Sequence, residues 1–189
     1  MKNDNYCILT GIIRKKNRNA DTKDMKRPVI DIEFVQEDMN DPFHFKLLPV
    51  VCADKQLVKL SQGFHEGDII TVVGALRTDN SELYIEAETI SVSIPKEKGK
   101  FDIASQFELL QMPQRFNLVN IIGETTTNNE VISIRSEYIR GDLSTQDIIP
   151  IYYEKGSVPA LKKAVCAGKL GIKDGKIYLF VSNVISVFP

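Results

Sequence analysis

The stretch whose reading decides the fold runs from Phe43 to Val92, FHFKLLPVVCADKQLVKLSQGFHEGDIITVVGALRTDNSELYIEAETISV. Phe45 to Val51 is rich in β-branched and aromatic residues and suits a buried strand. Lys55 to Phe64 places Leu57, Leu60 and Phe64 at helical spacing, the pattern of a short helix with one apolar stripe. Glu66-Gly67-Asp68 is a turn signal. Ile69 to Leu76 is mostly apolar, with Gly74 and Ala75 where a barrel strand must bend. Asp79-Asn80-Ser81 marks a tight turn, and a last strand runs from about Leu83 to Val92.

Strand, helix, then two hairpin-joined strands is the second half of an OB-fold. This is a small five-stranded barrel whose strands 2 and 3 and flanking loops often hold oligonucleotides. Upstream pieces fill in the first half. Tyr6 to Ile13 is an apolar strand with Gly11 at a bend or close approach. Val29 to Val35 alternates Ile30, Ile32 and Phe34 against Asp31 and Glu33, as a half-buried strand does. Gln36 to Pro42 is acidic and turn-like, the tip of the next hairpin.

The same residues carry a family resemblance. Glu66-Gly67-Asp68, then a Val/Ile strand ending Gly74-Ala75-Leu76-Arg77-Thr78, resembles the bacterial single-stranded DNA-binding protein (SSB) family. Ile8-Leu9-Thr10-Gly11 stands for its first strand and Ile30 to Val35 for its second, so the likeness covers about residues 5 to 94. It implies a single-stranded DNA ligand, a role in replication, recombination or repair, and no enzymatic activity. Family members carry a stacking Trp near the position of Phe45, whereas this chain has no Trp. They usually end in a flexible acidic tail that recruits other enzymes. This sequence ends Val-Ile-Ser-Val-Phe-Pro, which suggests a specialised role such as that of a plasmid or phage protein.

The remainder of the chain repeats the first part. Pro95 to Lys100 reads as a charged linker, and Phe101 to Phe116 as a connecting helix ended by Met112-Pro113. Beyond it, Asn120-Ile121-Ile122-Gly123 echoes Ile8-Leu9-Thr10-Gly11. Ile149-Pro150-Ile151-Tyr152 echoes Leu48-Pro49-Val50-Val51, and Gly168-Lys169-Leu170 echoes Gly74-Ala75-Leu76. Lys176-Ile177-Tyr178-Leu179 echoes Glu82-Leu83-Tyr84-Ile85, and Val184-Ile185-Ser186-Val187 echoes Thr89-Ile90-Ser91-Val92. Five echoes in one order predict an all-β chain of two tandem OB-fold five-stranded barrels with a short connecting helix. The expected boundaries are 1–94, 95–116 and 117–189. The second copy has less room for its helix, which shrinks to a turn or two around Val158 to Ala164.

Composition bounds the function. The chain has 189 residues and a net charge of -1, so any grip on a polyanion must come from local asymmetry. That asymmetry is at Arg14 to Arg27, where seven of fourteen residues are basic and two acidic. Residues 1–94 as a whole carry 12 basic and 15 acidic groups, net -3. The expected phosphate contacts in this first inter-strand loop are Arg14, Lys15, Lys16, Arg18, Lys23, Lys26 and Arg27, with Arg77 at a hairpin rim. The expected base-stacking residues are Phe43, Phe45 and Tyr84, joined in the second half by Tyr138 and Tyr153 with Arg135. Phe43 and Phe45 serve equally well as core, and Phe34 and Phe64 read as core.

Cys7, Cys52 and Cys166 are too scattered for a zinc site or a disulfide framework and read as buried small hydrophobes of a cytoplasmic protein. His44 and His65 have no triad partner at a recognisable spacing. No phosphate-cradling glycine motif, metal-binding carboxylate pair, membrane span or cofactor motif is present in the sequence. The competing reading is an OB-fold protein-interaction or oligomerisation module of a replication or primosome-type assembly, with a homo-oligomer and replication proteins as partners.

Overall fold

In the computed structural model the chain is nearly all β. The structure describes residues 5–22, 25–36, 44–52, 54–96, 108–112, 115–128, 131–140, 142–153, 158 and 160–187. Five strands and one helix come first: β1 (Asn5–Thr22), β2 (Met25–Gln36), β3 (His44–Cys52), α1 (Lys55–Ser61), β4 (Ile69–Asp79) and β5 (Glu82–Ile94). Five strands follow: β6 (Asn117–Asn128), β7 (Val131–Arg140), β8 (Leu143–Tyr152), β9 (Ala164–Lys173) and β10 (Lys176–Ser186).

β1 to β5 form a closed barrel in the order β2-β3-β5-β4-β1, with β1 returning to β2. Its β3–β5 contact is parallel and matches Val50 with Ile85. The interior holds Cys7, Leu9, Ile13, Ile32, Phe34, Leu48, Val50 and Ile85. Ile30, Ile32 and Phe34 alternate inward opposite Val50, Leu48 and Lys46. Asp54 caps α1 by accepting from the N–H groups of Gln56 and Leu57, both at 2.8 Å. Leu57 is buried, and Phe64 is buried beyond the helix end, but Leu60 is 50% exposed. The expected Leu57-Leu60-Phe64 stripe is therefore broken: α1 stops at Ser61, and Phe64 reaches the core from the following turn.

Gly67 takes a φ of +95°, the left-handed region that glycine enters without steric cost. Its N–H donates to the Ile13 carbonyl at 2.8 Å, and Ile13 N–H donates to Asp68 O at 2.9 Å. Those two bonds tie the turn to β1. The Asp68 carboxylate then accepts from His65 N and Lys96 N, so the entry to β4 and the exit from β5 share one buried anchor. A second apolar cluster of Ile12, Ile69 and Leu109 packs with Phe45, Ile94, Leu110 and Met112. Of the expected connecting helix, residues 108–111 are helical, and 101–107 lie outside the described residues.

The first inter-strand segment differs from expectation. Its described residues, 14–22 and 25–27, are strand and not loop: β1 and β2 pair there, Arg18 with Val29, Ala20 with Arg27, Asp21 with Lys26 and Thr22 with Met25. β3 joins β2 only from Val29 onward, which leaves residues 25–28 paired with β1 alone. Two register shifts, between Ile13 and Lys15 and between Lys15 and Arg18, separate this arm from the barrel ladder. Bulges of that kind bend and twist a strand pair.

β6 to β10 repeat the pairing list of β1 to β5. β6 pairs with β7 and with β9, β7 with β8, and β9 with β10, all antiparallel. β8 and β10 are parallel and match Ile151 with Leu179. The sequence echoes put Ile151 at the place of Val50 and Leu179 at that of Ile85, and the two parallel pairs match in that register. Backbone crossings agree as well. A Cβ on Gly74 would collide with the Glu86 carbonyl oxygen, and one on Gly168 with that of Phe180, again equivalent residues. The one- or two-turn helix expected around Val158 to Ala164 does not occur among the described residues there. Leu161 instead bonds Thr125, and Lys163 O accepts from Val187 N–H.

Two compact units are present, and neither is one continuous stretch. One comprises the described residues within Ile8–Gly74 and Tyr84–Asn117. The other comprises those within Met1–Cys7, Ala75–Leu83 and Leu118–Pro189, so it takes in the β4–β5 hairpin tip.

Candidate nucleic-acid interface

The base of the β1–β2 arm is where the expected cations are best described. Arg14 Nε lies 3.1 Å from a Glu33 carboxylate oxygen. Lys16 Nζ donates to the carbonyls of Phe64 and of Gln62, the latter at 3.3 Å. A cation at a helix C-terminus satisfies orphan carbonyls and opposes the helix dipole, so Lys16 fastens the arm to the end of α1. Lys15, between them, is exposed. Arg18, Lys26 and Arg27 lie on the arm strands, and their side chains are outside the described residues, as are Lys23 and Phe43 altogether. Phe45 is half-buried against the Ile12, Ile69 and Leu109 cluster. Tyr84 is half-buried on β5.

Two of the residues expected on a binding surface lie inside the second unit. Arg77 is 7% exposed and donates from Nε to Asp147 at 2.6 Å and from Nη2 to Thr145 Oγ1 at 2.7 Å. Its guanidinium stacks 3.7 Å from the centre of the Tyr138 ring, which is itself buried. Thr78 N–H donates to the other Asp147 oxygen at 2.9 Å. Asn5 brackets the neighbouring Leu76, accepting from its N–H at 3.0 Å and donating to its carbonyl. The β4–β5 tip is thus held by charge-assisted hydrogen bonds, and Arg77 and Tyr138 are consumed in doing so. Arg135 is exposed, 3.8 Å from Glu124, and Tyr153 is half-buried just past β8.

The structure gathers another group that the sequence reading named only in part. On β9 and β10, Phe180 pairs with Lys169, Tyr178 with Gly171 and Lys176 with Lys173. Tyr152 of β8 pairs with Phe180 in the parallel register. Cross-strand partners share a face, and the alternate residues Ile151, Leu170, Ile172 and Leu179 are buried. The outward face therefore carries Tyr152, Tyr178 and Phe180, with Lys169, Lys173 and Lys176 exposed. The Tyr152 and Phe180 rings lie 4.8 Å apart at 52°, and Lys173 Nζ sits 3.9 Å from the Tyr152 ring centre. Period-two alternation, K-x-G-x-K followed by K-x-Y-x-F, was the signal available in the sequence.

All three thiols are buried. Burial pushes Cys7 up to about 12 and Cys166 up to about 11. Cys52 is also raised by burial, against the pull of a Ser61 hydrogen bond. Neutral thiols of this kind are poor nucleophiles. No cluster of metal-ligating side chains occurs among the described residues, and no described helix is long and apolar enough to cross a membrane.

No protein-family model and no curated protein matches the sequence. Solved structures do. The wild-type single-stranded DNA-binding protein from Thermus aquaticus aligns with a TM-score of 0.59 and 12% identity over 100% of this chain and 95% of that one. A deletion mutant of the same protein aligns with a TM-score of 0.58 and 14% identity over 99% and 96%. The fold is SSB-like. The alignment runs the length of both chains, so the likeness extends past the first barrel to β6 through β10.

Proposed function

We propose that this protein binds single-stranded nucleic acid, DNA in the first instance, and holds it during replication, recombination or repair. The observation that carries the reading is the β1–β2 arm: a two-stranded extension of an SSB-like barrel bearing seven basic residues in fourteen, on a chain whose net charge is -1. Among the cations whose side chains are described, Arg14 and Lys16 pair at the base of the arm and Lys15 is exposed. A cationic arm displaces counterions from a flexible polyanion, and that release makes binding fall with salt. The SSB relatives of the same fold bind single-stranded DNA by name. The repeated pairing list supports two tandem OB-folds, 1–94 and 117–189, joined by 95–116.

The test is anisotropy of a labelled oligo-dT across a salt series. Wild type binds with a steep slope of log K on log salt. Replacing Lys15, Arg18 and Lys23 by Ser, with Arg14 and Lys16 kept, lowers that slope by about 2, at roughly 0.7 per phosphate contact. An unchanged slope removes the arm from the interface, and no binding at low salt removes the function. A protein-assembly reading has one observation in its favour. Ile148 is 54% and Ile139 40% exposed on the outward face of β7 and β8. A concentration-dependent sedimentation coefficient that Ile148→Ser abolishes would support oligomerisation through that face.

A further inference from the structure

We infer that the outward face of β8, β10 and β9 is a second binding surface for single-stranded nucleic acid, with bases stacked on Phe180 and Tyr178 and phosphates held by Lys169, Lys173 and Lys176. This rests on the function proposed above and adds residues and a place to it. The core does not need these aromatics, because Ile151, Leu170, Ile172 and Leu179 fill the other side of the same strands. The half-buried Phe180 ring lies over Gly171: a Cβ there would strike its Cδ2 and Cε2 atoms, so glycine makes room for it. An aromatic ring on an outward face, partly open to solvent, is what a base stacks on. Tyr152 buttresses the ring from one side and holds the Lys173 ammonium from the other.

The charges point the same way. Lys173 and Lys176 are directly opposite across the β9–β10 ladder. Like charges in that position weaken a strand pair, and an anion between them turns the cost into a gain. The fold itself does not demand lysine there. By the sequence echoes, the first copy has Ala75, Asp79, Glu82, Tyr84 and Glu86 where the second has Lys169, Lys173, Lys176, Tyr178 and Phe180. At two of the three lysine positions, Lys173 and Lys176, the first copy has a carboxylate, Asp79 and Glu82. Asp174 stands between Lys173 and Lys176 in the sequence, in the two-residue turn. An acidic peptide would use the lysines but leave the aromatic faces idle, so a polyanion with planar groups fits better.

The experiment uses the full chain with labelled oligo-dT and oligo-U of increasing length. Two variants are compared with wild type: a K169S/K173S/K176S triple, at exposed positions, and Phe180→Leu, which keeps apolar bulk over Gly171. The triple is expected to lower the salt slope by about 2. Phe180→Leu is expected to weaken binding roughly tenfold, within the range for loss of one stacked base. Photocrosslinking of iodouracil-containing strands to wild type is expected to map to the peptide holding Tyr178 and Phe180. Wild-type affinity and slope in both variants, with crosslinks confined to the first barrel, would overturn this surface while leaving the arm's role intact. Failure of wild type to bind either oligonucleotide would overturn both readings.

Discussion

Asp147 shows how one side chain can organise a unit. Its two oxygens accept from Arg77 Nε and from the Thr78 backbone, and its own side chain is 1% exposed. Removing one member of such a pair strands the other charge in the interior. Asp147→Ala is therefore expected to destabilise by about 3–5 kcal/mol in urea unfolding, whereas an Arg77→Met, Asp147→Leu double change costs far less. Equal losses in the two would mean that packing and not charge holds the tip. Cys7 gives a pH test. Its thiol is raised from 9.0 to about 12 in the folded chain, so the unfolded chain loses that proton first. Stability contributed by the neutral thiol is complete below about pH 9 and declines as pH climbs from 9 towards 12. Cys7→Ala should flatten that alkaline decline, and an unchanged profile assigns it to other groups.

At the scale of elements, the two hairpin turns make a natural comparison. Asp174-Gly175 joins β9 to β10 with φ values of 50° and 72°, a pairing that Asp-Gly adopts readily. Asn80-Ser81 joins β4 to β5 with 48° and 70°, and there a serine occupies the second left-handed position. Relieving that strain, Ser81→Gly should stabilise by roughly 1 kcal/mol. A lower melting temperature in Ser81→Gly would show that the serine side chain does more than tolerate the turn. Gly168 is the opposite case. An added methyl meets the Phe180 carbonyl, which a flexible side chain cannot dodge, so Gly168→Ala should cost at least about 2 kcal/mol. The Asp79-Asn80-Ser81 turn and the barrel portions of the first five strands follow from local rules of alternation and turn chemistry. The arm did not, because the Asn, Asp and Lys content of Arg14 to Arg27 is that of a loop. Pairing with a partner strand overrides such weak preferences.

For the whole molecule, net charge is a poor guide to its partners. A chain at -1 still concentrates cations in the sequence of the arm and of β9 and β10, and the proposed grip on a polyanion depends on that local field. If single strands are the ligand, an oligo-dT at a hundredfold excess over its Kd should stabilise the folded chain by about 2.7 kcal/mol. A blunt duplex of equal charge should do much less, since its bases are already stacked. Equal stabilisation by both would leave only unspecific electrostatics.

The sequence by itself determined the main strands of the first barrel, the buried cysteines and the cationic stretch. These depend on neighbours two to four residues away, and periodicity records them. Which arginine faces solvent and which aromatic lies on an open face was decided only in three dimensions. Arg77 is buried because Asp147, seventy positions further on, meets it, and Phe180 finds room on the outward face because Gly171, the ladder partner of Tyr178, has no side chain. Such partners are joined by the packing of strands, and nothing in the local pattern around either residue encodes them.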